Sequence, residues 1–156
     1  MATTQDTTLC CEQQMFSNLQ TQDFVKSSEL APDCSMILSE SELGSFILSS
    51  VHLQSTVQCD SSVTESTPIL APYTEFPAGE SIYSCAWYPH MTIHDTASCC
   101  FIASARDHPI HLWDMAGYIR CSYIPKNHVD ELDSSYCVAF NLAGDKFYAG
   151  ANRKIR

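Results

Sequence analysis

Two residue clusters in the 156-residue chain have the types needed for chemistry. His90, His94 and the adjacent pair Cys99-Cys100 supply the ligand types of a zinc site. Their spacing argues against one, because no C-x-x-C pair is present and adjacent cysteines rarely both reach one ion. A loop with two incidental histidines, leading into a buried strand, accounts for them more simply. His111 with Ser104 or Cys121 would be the second cluster, a base beside a nucleophile. Such a pair also needs an orienting acid, and nothing in the local sequence specifies that geometry. No nucleophile elbow, phosphate loop or paired metal motif occurs, so an enzyme finds no support and no cofactor is expected.

Charge narrows the classes further. Residues 1–70 carry nine Asp/Glu against Lys26 alone, whereas residues 71–156 carry nine against seven Lys/Arg. A chain of net charge −10 is not steered as a whole toward phosphate. Nucleic-acid contact would have to come from the cations of the second half: Arg106, Arg120, Lys126, Lys146, Arg153, Lys154 and Arg156. Asp130, Glu131 and Asp133 form an acidic connection, read first as a solvated loop and second as a partner contact. The nine cysteines are odd in number and include two adjacent pairs, with no secretory signal ahead of them. They are expected as reduced thiols of an intracellular protein. No stretch approaches the roughly 18 apolar residues of a membrane span.

These side chains have to be positioned by strands, since no segment shows a helical period. Residues 1–30 read as a flexible lead-in, although Phe24-Val25 could start an edge strand. Residues 31–51 read as a first partial blade, a hairpin in which Gly44 supplies the positive φ of the turn. Residues 52–80, Ser/Thr-rich with Pro68, Pro72 and Pro77, read as a long connection. Residues 81–125 hold four short strands with turns between them, which is one propeller blade. Residues 126–156 begin the same order again. The fold class is all-β.

The strand Ile110-His111-Leu112-Trp113-Asp114 resembles the terminal strand of a WD repeat, with Asp107 in the turn upstream. In such repeats Asp, Ser/Thr, His and the Trp indole form a buried hydrogen-bond network. Trp87, Asp107, Trp113 and Asp114 are its candidates here. Ala105 stands where Ser/Thr is expected and Pro77-Ala78 where Gly-His is usual, so the network should be incomplete. Propellers close with roughly four to eight blades of about 40–45 residues, so residues 31–156 supply about two to three blades and no closure. An open stack should leave sheet faces exposed and dissolve poorly.

The blades also resemble one family within the WD repeats. Ile82-Tyr83 with Trp87-Tyr88, Ile102-Ala103-Ser104 and the stretch His108 to Asp114 are similar to the telomerase Cajal body protein family. Asn127-His128-Val129-Asp130-Glu131-Leu132 and Gly150 to Arg156 are too. The likeness reaches more loosely to Ala31-Pro32-Asp33, where Leu30 replaces an expected Trp and Cys34 an expected Gly. It implies a non-enzymatic nuclear scaffold, located in the Cajal body with some presence in the cytoplasm. Its partners would be small Cajal body RNAs and their particles, telomerase, and other Cajal body proteins, with no membrane or small-molecule substrate. The candidate RNA or partner contacts are Arg106, His128, Asp130, Glu131, Arg153 and Lys154. The alternative is a WD-repeat bridge between proteins that makes no RNA contact.

Overall fold

The computed structural model describes residues 23–55 and 66–156, and every regular element among them is a β-strand. Strands β1 (Val25–Leu30), β2 (Met36–Ser41), β3 (Ser45–Ser55) and β4 (Ser66–Pro77) pair in chain order as one antiparallel sheet. Strands β5 (Ile82–Trp87), β6 (Cys100–Ala105), β7 (Ile110–Asp114) and β8 (Ile119–Tyr123) repeat that order. Strands β9 (Cys137–Phe140), β10 (Phe147–Ala151) and β11 (Lys154–Ile155) make a third sheet of three. The fold is a partial WD-repeat propeller with no closure among the described residues. Among these residues no helix is long and apolar enough to cross a membrane.

Two expectations about organisation are corrected. The lead-in assigned to residues 1–30 holds β1 at its end, bonded to β2 from Val25↔Ser41 to Leu30↔Ile37; residues 1–22 lie outside the described residues. The connection assigned to residues 52–80 contains the end of β3 and all of β4, so the first blade has four strands. The prolines misled because β4 is an edge strand. An edge needs donors on one side only, so Pro68, Pro72 and Pro77 can sit in its register without breaking the ladder.

Hairpin turns follow their residues. Gly44 has φ +85, and an added Cβ there would lie 2.3 Å from the Glu80 carbonyl oxygen, so only glycine fits. Cys34, in the β1–β2 turn, sits at φ 59, in the left-handed region that favours glycine. That explains physically why a glycine is the expected residue at this position.

The middle blade divides the core. Every residue of β6 is buried, and period-two alternation sends Phe101 and Ala103 toward the first blade and Ile102 toward the third. On the first side Phe46, Leu38, Leu48, Met36, Ile82, Trp87 and Trp113 join one large cluster. On the other side Ile102 and Ile110 meet only Val138 and Ala149 as buried partners, with Ala86, Leu112, Phe140 and Phe147 partly buried around them.

Candidate functional site

The four residues expected to share a buried network have separate roles. Trp113 is buried in an aromatic cluster, its ring centroid 5.7 Å from Phe46 and 5.6 Å from Phe76. Asp107 is exposed, at φ 54 in the β6–β7 turn, so it adds no buried acceptor. Asp114 Oδ1 accepts from the amides of Ala116 and Tyr118, each at 2.9 Å, and closes the β7–β8 turn. Trp87 is buried on β5 of the same blade, and its Nε1 donates across to the Glu29 carbonyl of the first blade at 3.1 Å. Phe packing and turn hydrogen bonds therefore stand where a polar network was expected, consistent with the missing Ser/Thr and His.

Cys99 of the first cluster, and His111 and Ser104 of the second, have hydrogen-bond partners outside their clusters. Cys99 Sγ donates to the Thr92 carbonyl at 3.1 Å. Burial pushes both the Cys99 and Cys100 thiols up, with nearby acids adding to it at Cys99, which keeps them protonated. His111 pairs through Nδ1 with Ser122 Oγ at 2.8 Å, away from Ser104 and Cys121. Ser104 is buried and donates to the Ser84 carbonyl at 3.4 Å.

Most of the second-half cations are already engaged. Lys126 pairs with Asp130 at 3.1 Å, while Lys154 and Arg156 converge on Asp133 at 2.7 and 3.0 Å. Those two lysine and arginine contacts hold the Asp133 carboxyl below its usual range and tie the 126–134 connection to β11. The Tyr83 hydroxyl beside Arg106 holds its guanidinium above its ordinary value. Arg120 donates to the carbonyls of Ala97 and Thr96 at 2.6 and 2.8 Å, pinning the loop ahead of β6. Lys146 and Arg153 are exposed and form no ion pair among the described residues. Arg153 occupies φ 60 in the β10–β11 turn.

The candidate contact residues are thus spread out. His128, Asp130 and Glu131 are exposed on one compact turn, in which Asn127 Oδ1 accepts from the amides of Val129 and Glu131 at 2.8 and 3.0 Å. Lys154 reaches that connection through Asp133, but Arg106 and Arg153 lie in other turns.

One concavity had no signal in the motifs. A cleft of about 390 Å³ opens between the second and third blades. Tyr123 and Phe147 meet edge to face at 4.8 Å on its wall, and Phe140 sits 6.3 Å from Phe147. Asp95, Asp145 and Lys146 also line it, with Arg120. These residues come from three strands and two loops, so no local pattern announces them. The one available signal was alternation in β8 and β10, which sends Tyr123 and Phe147 toward the neighbouring blade.

The chain is similar in sequence to known proteins over most of its own length. No family model matches the chain. It is 32% identical over 145 residues to the Telomerase Cajal body protein 1 homolog of Drosophila melanogaster, covering 90% of this chain and 26% of that protein. It is 30% identical over 138 residues to Telomerase Cajal body protein 1 of Homo sapiens, covering 88% of this chain and 25% of that protein. A more partial likeness, 32% over 77 residues, joins 49% of the chain to 19% of the Guanine nucleotide-binding protein negative regulator 1 of Schizosaccharomyces pombe. The chain spans about a quarter of the length of the Cajal body relatives it matches.

Proposed function

We propose, from a chain related by descent to the telomerase Cajal body proteins, that this propeller segment is part of a non-enzymatic nuclear scaffold. It binds small Cajal body RNAs, telomerase RNA among them, and directs their particles to Cajal bodies. The observation carrying this reading is sequence identity near 30% across nearly the whole chain to proteins of that name from insect and mammal. The site agrees with a binding role: its exposed polar residues lie on turns of a rigid sheet. Those turns, with His128, Asp130, Glu131 and Arg153, are the proposed partner contacts.

The second reading is a bridge between proteins with no RNA contact. Two observations favour it: the partial likeness to a G-protein regulator, and the pairing of Lys126, Lys154 and Arg156 with acids. Immunoprecipitation of the tagged chain from nuclear extract, with sequencing of bound small RNAs, separates the two. Enrichment of Cajal body guide RNAs over an unrelated propeller, abolished by RNase, is the expected result. Recovery of proteins alone would replace it with the bridging reading.

A further inference from the structure

We propose that the cleft between the second and third blades is a slot for an unpaired nucleobase of single-stranded RNA, an inference that rests on the scaffold reading above. Its volume, about 390 Å³, is at the small end of ligand pockets, which run from about 300 to 1,000 Å³. That suits one base and its sugar better than a folded partner. The Tyr123, Phe140 and Phe147 rings give it a π-surface, and base-on-aromatic stacking works for any base.

The polar groups are arranged for base edges and a phosphate. Asp145 Oδ1 accepts from Asn141 Nδ2 at 2.6 Å, and Asp95 Oδ1 from the Ala97 amide at 3.0 Å. Each carboxylate keeps a second oxygen for the exocyclic amino or ring N–H of a base. Arg120 is spent on loop carbonyls and holds the Asp95 side of the cleft in place. Lys146 is the uncommitted cation at the mouth, where a backbone phosphate would lie. Lys126, Lys154 and Arg156 each pair with an acid, Arg120 is spent on carbonyls, and Arg153 lies in another turn. Among the described residues, Lys146 is therefore the cation without an ion pair that lines the cleft beside the aromatic rings. A base inside a duplex cannot enter such a slot, so the ligand is unpaired RNA.

The test uses the full chain and a fluorescently labelled 12-nucleotide RNA of mixed sequence, read by anisotropy. The same strand with abasic positions and a duplex of the same length serve as comparisons. The intact strand should bind roughly tenfold more tightly than the abasic one, the effect of losing one stacked base. Tyr123→Ala should lose that preference and Tyr123→Phe should keep it. Lys146→Ala should weaken both strands and lower the salt dependence by about one phosphate contact, with Lys146→Arg restoring it. Lys126→Ala, outside the cleft, should leave the abasic preference intact. If RNA binds but neither Tyr123→Ala nor Lys146→Ala changes it, the slot is wrong while the scaffold reading stands. Absence of RNA binding by the wild-type chain would overturn both.

Discussion

The two seams of the molecule join equivalent strands of successive blades, yet they are built differently. At the first, Phe46 packs against Phe76, Phe101 and Trp113 with centroids 5.0 to 5.7 Å apart, and Phe101 meets Trp87 at 5.6 Å. Hydrogen bonds between side chain and backbone cross it as well: Lys26 Nζ donates to the Ile82 carbonyl at 2.7 Å, and the Ile93 amide to Asp33 Oδ2 at 2.7 Å. At the second, four buried residues, the partly buried or exposed ring pairs Tyr83–Tyr136, Tyr88–Phe140 and Tyr123–Phe147 at 4.8 to 5.7 Å, and the amide of Val138 on Ser84 Oγ at 3.3 Å do the joining, and a cleft remains beside them. The dense seam supplies apolar burial and therefore stability. The loose one leaves room for a ligand, which a close-packed seam cannot do.

The largest expected effect tests that contrast directly. Phe46→Ala or Trp113→Ala should cost about 3–5 kcal/mol in urea unfolding, because each leaves a cavity among rings. Phe140→Ala, at the second seam and only partly buried, should cost roughly 1–2 kcal/mol. Equal losses at the two seams would break the comparison.

The turn glycines sharpen it. Gly44→Ala meets the Glu80 backbone at 2.3 Å with φ +85, and should cost about 2–3 kcal/mol. Gly144→Ala meets only the Tyr88 ring at 2.6 Å, which can swing into the looser seam, so its loss in the same unfolding series should be smaller. A smaller gain is expected at Cys34, exposed at φ 59: Cys34→Gly should stabilise by about 1 kcal/mol by relieving left-handed strain. No gain in melting temperature would mean the turn relaxes without strain.

The smallest effects are pH-dependent and oppose each other within the first seam. Burial, and then the Glu40 carboxylate, push Glu29 above its usual range. Its folded form therefore favours the proton, and its contribution is present in acid and lost as pH rises through that raised value. Glu29→Gln should stabilise above the ordinary carboxylate range and do little below it. Asp33 goes the other way: burial would raise it, but hydrogen bonds from Ser35 and the Ile93 amide outweigh that and lower it. Its contribution is present above the ordinary carboxylate pKa and lost as pH falls, so Asp33→Asn should weaken the neutral-pH fold and flatten its acid loss. Melting curves of both variants from pH 3 to 8 check the two signs.

How much was legible in the residues differs by region. The second blade was readable because its strands alternate cleanly and its turns carry Gly117 and the Asp107-His108-Pro109 run; β5 to β8 follow those boundaries. The first blade was half readable. β2 and β3 showed as a hairpin, but β4 was hidden by its prolines, whose cost depends on whether a strand is an edge. The candidate contact residues on the 126–134 connection were named as a group, yet their charges were partly spent on Lys126, Lys154 and Arg156.

Sequence alone determined what depends on neighbours along the chain: an all-β fold, hairpin turns at Gly44 and Gly144, an acidic first half, and a likeness to one family through matching motifs. Only the tertiary structure decided which faces meet. Strand alternation says that Phe101 and Ile102 point apart, but not that one faces a ring of aromatics and the other an open cleft. Side-chain packing and charge pairing join residues distant in sequence, here Trp87 with Glu29 and Asp133 with Arg156, and local pattern carries no record of such partners.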